Sequence, residues 1–164
     1  VISMDADYSH DPQYLPAFCQ ALQGCDVVIG SRYLTGVSVV NWPLRRLFLS
    51  LLANRYLRFL TGIKITDCTS GFRAYTAKAL ERILPEKNAS SGYALLVETL
   101  FYAARQGLDI REIPIIFTER QRGQSKMSWR LIWESIWLPW RLKFRRNLLS
   151  QTPIHPQIGE EEQS

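Results

Sequence analysis

Hydrophobic and polar positions follow one another along the chain with strand-like and helix-like periods in turn. Val1 to Met4 is a short, mainly apolar run that stops at Asp5, as a strand end does. Leu15, Phe18, Cys19 and Leu22 then fall at helical spacing, with Asp11-Pro12 as a start and Gly24 as a stop. Asp26-Val27-Val28-Ile29-Gly30 reads as a compact buried strand. Strand, helix, strand is the connection expected of a sheet with parallel order, so the pattern predicts an α/β fold. Residues 31–42 are polar and contain glycine, which predicts a loop, and Pro43 opens a long helix to about Leu60, closed by Gly62. Thr69 to Arg73 is turn-like and leads into a short helix from Ala77 to Leu84. Gly92 precedes a strongly apolar helix from Tyr93 to Arg105, which Gly107 ends. Ile110 to Phe117 has strand composition, and Pro114, which cannot donate to a ladder, predicts an edge or a bulge. A basic, flexible segment, 119–126, leads to a last helix, and residues 150–164, with two prolines and an acidic triplet, predict a disordered tail.

Composition adds bounds to this pattern. With 164 residues and 46% hydrophobic content the chain can build one core of ordinary size, and it lacks the composition of a disordered protein. No signal peptide is evident, and no uncharged apolar run is long enough to span a bilayer. The formal charge of +5 implies attraction to polyanions, which include nucleic acid, anionic headgroups and phosphorylated substrates; charge alone does not choose among them. Three cysteines, odd in number and without metal-ligand spacing, read as reduced thiols. A start inside an apolar strand, without methionine, predicts a fragment whose upstream half is missing.

The first candidate chemistry is the pair Asp5 and Asp7. In an extended segment residues two apart point to the same side, so both carboxylates can address one hard cation, Mg²⁺ or Mn²⁺, which keeps other positions for water and substrate phosphates. A solvated turn is the competing reading, since Asp-Pro is ordinary turn chemistry. On the long helix Arg46, Ser50, Asn54 and Arg58 recur at steps of four and form one slowly turning stripe. Arg58 suits a solvent face, whereas Arg46 and Ser50, near the helix start and close in sequence to Gly30-Ser31-Arg32-Tyr33, can converge with Arg32 on a phosphate. Glu98, with no cation at helical spacing, needs a partner from another element, structural or at a site. Asp67 suits the cap of the following turn. Arg120 and Lys126 bracket Gly123 and Ser125 in a basic loop, either merely solvated or able to close over a diphosphate. Trp129, Trp133, Trp137 and Trp140 fall within a narrow helical arc followed by Arg141, Lys143, Arg145 and Arg146. That combination suits a headgroup boundary, or else a stripe that covers the sheet, and Pro139 can break the helix.

Together these segments resemble a known family. Met4 to Pro12, Gly30-Ser31-Arg32-Tyr33, Arg46 with Ser50 and Asn54, Asp67 to Arg73, Gly92-Tyr93 with Glu98, Glu112 to Ile115, and Arg120 through Gly123 to Met127 are similar, in order and spacing, to family 2 glycosyltransferases of the dolichol-phosphate mannosyltransferase type. The resemblance covers about residues 1–130. It implies a partial GT-A, Rossmann-like domain over residues 1–126, a Trp-rich basic helical membrane-surface segment over 127–149 and a tail over 150–164. It also implies transfer of a hexose from a nucleotide-sugar donor to polyprenyl phosphate on the cytoplasmic face of a membrane, with peripheral attachment and no nucleic-acid partner. By matching position, Asp5 and Asp7 bind the Mg²⁺ or Mn²⁺ and the donor diphosphate. Arg32, Arg46 and Ser50 hold the lipid phosphate, and Arg120 and Lys126 belong to the loop that closes on the donor, with Asp7 and Arg120 the catalytic pair. Some relatives place Gln at the position of Ser9, which here leaves a third side-chain ligand in doubt. The leading donor is GDP-mannose, with UDP-glucose its nearest competitor. A noncatalytic membrane-surface module is the reading of a different class.

Overall fold

The computed structural model describes residues 1–83, 92–118 and 136–144. In chain order the elements are β1 (Ile2–Ser3), a 3-10 turn (Pro12–Tyr14) continuing into α1 (Leu15–Ala21), β2 (Val27–Ser31), β3 (Val39–Val40) and α2 (Leu44–Thr61). β4 (Arg73–Tyr75), α3 (Ala77–Ile83), α4 (Tyr93–Arg105), β5 (Ile110–Pro114) and β6 (Phe117–Thr118) follow. A further helix, here α5, covers residues 136–144. The main sheet has the order β1-β4-β2-β5, and β3 pairs with β6 in a small parallel sheet.

β1 and β2 run in the same direction, as their connection through α1 predicts, but they are not neighbours. β4 lies between them, antiparallel to both, with Ile2 opposite Ala74 and Val28 opposite Ala74 on its other side. The Thr69–Arg73 turn therefore continues into a strand that sequence periodicity does not reveal, because its first residue is a charged arginine. β5 adds in parallel to the far side of β2, where Pro114 ends the ladder opposite Ser31 at the edge of the sheet formed by the described residues. The edge position answers the missing donor of Pro114.

Alternation on these strands sends side chains to two cores. Val28, Phe72, Ala74 and Ile115 pack on one face with Phe18 of α1. Val27, Ile29 and Tyr75 pack on the other with Leu57 of α2, Ala79 and Ile83 of α3, and Val97, Leu100 and Phe101 of α4. Leu138 and Leu142 of α5 belong to this second cluster, so α5 is seated in the same core as the sheet rather than standing apart from it. Two polar contacts accompany that seating: the Tyr56 hydroxyl donates to the Ile136 carbonyl at 2.8 Å, and Arg141 pairs with Glu98 at 2.6 Å. The helix continues past Pro139 to residue 144, so the break expected there does not occur.

α2 begins and ends where its punctuation dictates. Pro43 stands just outside in extended conformation (ψ 136°), and Gly62 closes the helix with φ 75°, its N–H donating to the Arg58 carbonyl at 2.9 Å. No heavy atom lies within 4 Å of a Cβ added at Gly62, so only the left-handed backbone resists a side chain there. Gly30 presents the opposite case. A Cβ there meets Ile115 Cδ1 at 3.0 Å and the Phe18 ring at 3.1 Å. Gly62→Ala is expected to cost about 1 kcal/mol by backbone strain, and Gly30→Ala about 1–3 kcal/mol by overpacking between α1 and the sheet. Urea denaturation at constant slope measures both, and Gly62→Asn should recover part of the first loss.

Candidate active site

Asp5 lies just beyond β1, which stops at Ser3, and Asp7 lies on the bend that follows at residues 6–10. Strand alternation therefore does not place them; a turn does. Asp7 Oδ1 accepts the Ser9 N–H at 3.1 Å and the Ser9 hydroxyl at 2.5 Å, folding the chain so that Tyr8 takes φ 64° with its ring in solvent. The Asp5 side chain is 60% exposed and stands against Gly71, where an added Cβ would lie 3.6 Å from its Oδ1. The Asp5 backbone N–H donates to Nδ1 of the buried His10 at 3.0 Å. Burial holds the His10 pKa below its ordinary value, with Arg32 acting in the same direction, while Asp5 and Asp7 oppose the shift.

This donor set suits a hard divalent cation. No group of three or more His, Cys, Asp and Glu is assembled for a metal among the described residues, and the Ser9 hydroxyl is committed to Asp7. Two carboxylates with one largely open to solvent fit Mg²⁺ or Mn²⁺, which take remaining ligands from water and phosphate oxygens.

The second group gathers at the start of α2. The Arg46 guanidinium lies over the Trp42 ring, 4.3 Å from its centroid, and one turn further the Ser50 hydroxyl accepts from the Tyr33 hydroxyl at 2.7 Å. Burial raises the Tyr33 pKa, partly offset by Arg32 and the Ser50 bond, so the phenol stays a donor at neutral pH. Arg58 is exposed, as a solvent-face residue should be.

Arg32, expected beside Arg46 on a phosphate, is placed differently. It is buried, its Nε and Nη2 donate to the two oxygens of Asp67 at 2.7 and 2.8 Å, and Nη2 also reaches the Thr69 hydroxyl at 2.6 Å. Trp42, Tyr33 and Phe117 ring the same guanidinium, with centroids at 5.2 to 5.5 Å. Arg32 thus acts on the Arg46 cluster through Trp42 and Tyr33. Asp67 also accepts the Thr69 N–H, the turn cap its sequence position predicts.

Three more residues, not singled out for this task from sequence, fix the segment 66–70. Glu112 of β5 accepts the N–H groups of Thr66 and Asp67, Asn54 of α2 accepts the Cys68 N–H, and Arg73 donates to the carbonyls of Cys68, Ser70 and Leu96. Burial pushes the Cys68 thiol up to about 12, so it is inert at this place. Tyr33 and Trp42 were discoverable in principle, since one adjoins Arg32 and the other the proline that opens α2.

Glu98 finds the arginine from another element that its helix does not supply: Arg141. On α5 the core side is Leu138 and Leu142, whereas Trp137 is 64% and Trp140 39% exposed. Arg120, Lys126, Trp129, Trp133, Arg145, Arg146 and the tail lie outside the described residues.

Burial raises the pKa of Asp67, but the Arg32 hydrogen bonds and charge outweigh it, and the net shift is downward. A depressed folded-state pKa contributes stability that is complete above the ordinary carboxylate value near ~4 and is lost as pH falls through the folded value. Asp67→Ala should cost about 3–5 kcal/mol at neutral pH, because it leaves the Arg32 charge buried and unpaired. The variant's melting temperature should also fall less steeply than the wild type's below about pH 4; parallel acid limbs would exclude this linkage.

Residues 1–84 match the model of the family described as Glycosyl transferase family 2. The chain is 42% identical over 136 residues to the undecaprenyl-phosphate mannosyltransferase of Micrococcus luteus, covering 83% of this chain and 56% of that protein. It is 46% identical over 129 residues to the polyprenol monophosphomannose synthase of Mycolicibacterium smegmatis, covering 78% of this chain and 49% of that one. The chain thus spans about half the length of the curated relatives it matches. The α/β sheet, the acidic turn beyond β1 and a family match over half the chain agree, and the chain belongs to glycosyl transferase family 2.

Proposed function

We propose that the protein transfers mannose from GDP-mannose to a polyprenyl phosphate, working at the cytoplasmic surface of a membrane. The names of the two relatives support this acceptor and this sugar. The observation that carries the reading is α2, which joins two properties a lipid phosphate requires. Arg46 and Ser50 stand near its start, and Leu44, Phe48, Leu52 and Phe59 are exposed along its length. The helical period sets the two on opposite sides of α2, so a phosphate held by Arg46 and Ser50 at the inner side lies beside a helix whose outer, apolar side can enter the lipid layer that carries the acceptor.

The acceptor phosphate is already anionic near neutral pH, so no side chain need remove a proton from it. Arg46 and the Ser50 hydroxyl align it and reduce its repulsion from the donor. A phosphate oxygen forms a bond to the anomeric carbon as the bond to the nucleotide diphosphate breaks, and direct displacement inverts that centre. Asp5 and Asp7 would hold Mg²⁺ or Mn²⁺, which would supply positive charge to the donor diphosphate. Arg120 and Lys126 are assigned to the same diphosphate. Arg32 is assigned to the acceptor side through Trp42 and Tyr33.

No described helix is long and apolar enough to cross a membrane. Attachment is assigned to surfaces: the exposed face of α2 and, beside it, Trp137, Trp140 and Phe144 of α5, with Lys143 5.6 Å from the Trp140 ring centroid. Tyr56 links the two helices.

In the complete protein, transfer of labelled mannose should require Mg²⁺ or Mn²⁺. Asp7→Asn should lower it on the order of 10²-fold or more. Arg46→Ala should act mainly through KM for the lipid phosphate, by about 1.5–3 kcal/mol. Metal-independent transfer indifferent to Asp7→Asn would overturn the assignment, and transfer of glucose from UDP-glucose in place of mannose would overturn the donor. Replacing Phe48, Phe59 and Trp137 by serine should strip the protein from floated anionic liposomes, each side chain contributing about 1.5–3 kcal/mol if fully inserted.

A further inference from the structure

His10 is the most enclosed titratable side chain next to the acidic turn, and its surroundings give it a task distinct from ligation. Its exposure is 3%, its ring stacks on Phe72 (centroids 5.0 Å, planes 28° apart), and Phe117 meets it at a steep angle (5.3 Å, 75°). The stacking fixes where the ring lies. Nδ1 then accepts the Asp5 N–H at 3.0 Å, which requires that nitrogen to carry no proton. Nδ1 is 3.9 Å from Asp5 Oδ2, and the backbone amide makes the shorter contact. β1 has ended at Ser3, and inside the bend Asp7 accepts the Ser9 N–H and hydroxyl. Beyond His10, the Thr118 N–H reaches the Ser9 carbonyl at 3.4 Å, so the same side of the turn is tied to β6.

We propose that His10 is the positioning residue of the acidic turn: by accepting the Asp5 amide hydrogen from a ring clamped between Phe72 and Phe117, it sets the backbone from which both carboxylates address a divalent cation. The inference rests on the reading of Asp5 and Asp7 as the metal site and adds a residue to it. His10 itself contributes no bond to the cation. Its effect passes through the Asp5 main chain, in the way that hydrogen bonds behind a ligand orient it and change metal affinity roughly 10–100-fold.

Two substitutions separate the hydrogen bond from the packing. His10→Phe keeps an aromatic ring between Phe72 and Phe117 but removes the acceptor. His10→Asn loses the ring but can return an oxygen near the place of Nδ1. Mn²⁺ binding to the purified complete protein, followed by electron paramagnetic resonance, should weaken about tenfold or more in His10→Phe and stay within about threefold of wild type in His10→Asn. The melting temperature should fall more in His10→Asn. A purely structural role predicts that affinity tracks melting temperature, with His10→Asn the weaker binder, and that result overturns the proposal. Asp7→Asn serves as the control for the underlying reading. If it leaves Mn²⁺ binding unchanged, the metal site itself is wrong and the role of His10 falls with it; if it abolishes binding while His10→Phe binds as wild type, only the role of His10 is lost.

Discussion

The segment 66–70 has almost no apolar anchor of its own, and the site depends on the polar side chains that hold it. Asp67 faces Arg32 at the end of β2, Glu112 of β5 takes two of its backbone N–H groups, Asn54 of α2 takes a third, and Arg73 of β4 collects its carbonyls. The four partners come from four different parts of the fold. Buried polar groups are costly when unpaired, so the network is close to all-or-none: losing one member leaves several others without partners. That cooperativity fixes Arg32, and Arg32 in turn supports the rings of Tyr33 and Trp42 on which the start of α2 rests.

Arg32 and Arg46 show how two arginines in one family pattern acquire different work. Both lie near Trp42, but Arg32 is buried against a carboxylate while Arg46 is only partly covered. Desolvation favours a paired charge for the first; partial exposure leaves the second able to meet an anion arriving from solution. One arginine is thus a foundation of the fold, and the other keeps a partly open guanidinium at the start of α2.

The ends of α2, the course of α4 and the edge position of β5 were legible because glycine, proline and apolar spacing act locally. Pro43, Gly62, Gly92, Gly107 and Pro114 all stand where their backbone limits require. β4 was not legible, since a three-residue strand beginning with a buried arginine carries no alternating signal; its arginine is satisfied by the nearby carbonyls of Cys68 and Ser70 and by that of Leu96 in α4. β3 and β6, two residues each, are too short to show a period. At the site, Asp5, Asp7, Arg46 and Ser50 stood out by residue type and spacing. The tasks of Arg32, Asn54, His10 and Glu112 depend on partners that only the folded chain brings near, and the turn that carries Asp7 was mistaken for an extension of β1.

The insertion of β4 between β1 and β2 also bears on the order in which the protein assembles. Among the described residues β1 pairs only with β4, matching Ile2 with Ala74 and Ser3 with Arg73. Contacts between residues so far apart in sequence close late, after helices and nearer pairings have formed. β2 must find β4 and β5 through similarly distant pairings, whereas α1 and α2 can begin to form on their own. The acidic turn hangs from β1, so it gains a fixed shape only when β1 has found β4. A ribosome-bound or partly folded chain would accordingly carry Asp5 and Asp7 without a fixed geometry, and the shape of the acidic turn becomes a property of the paired sheet.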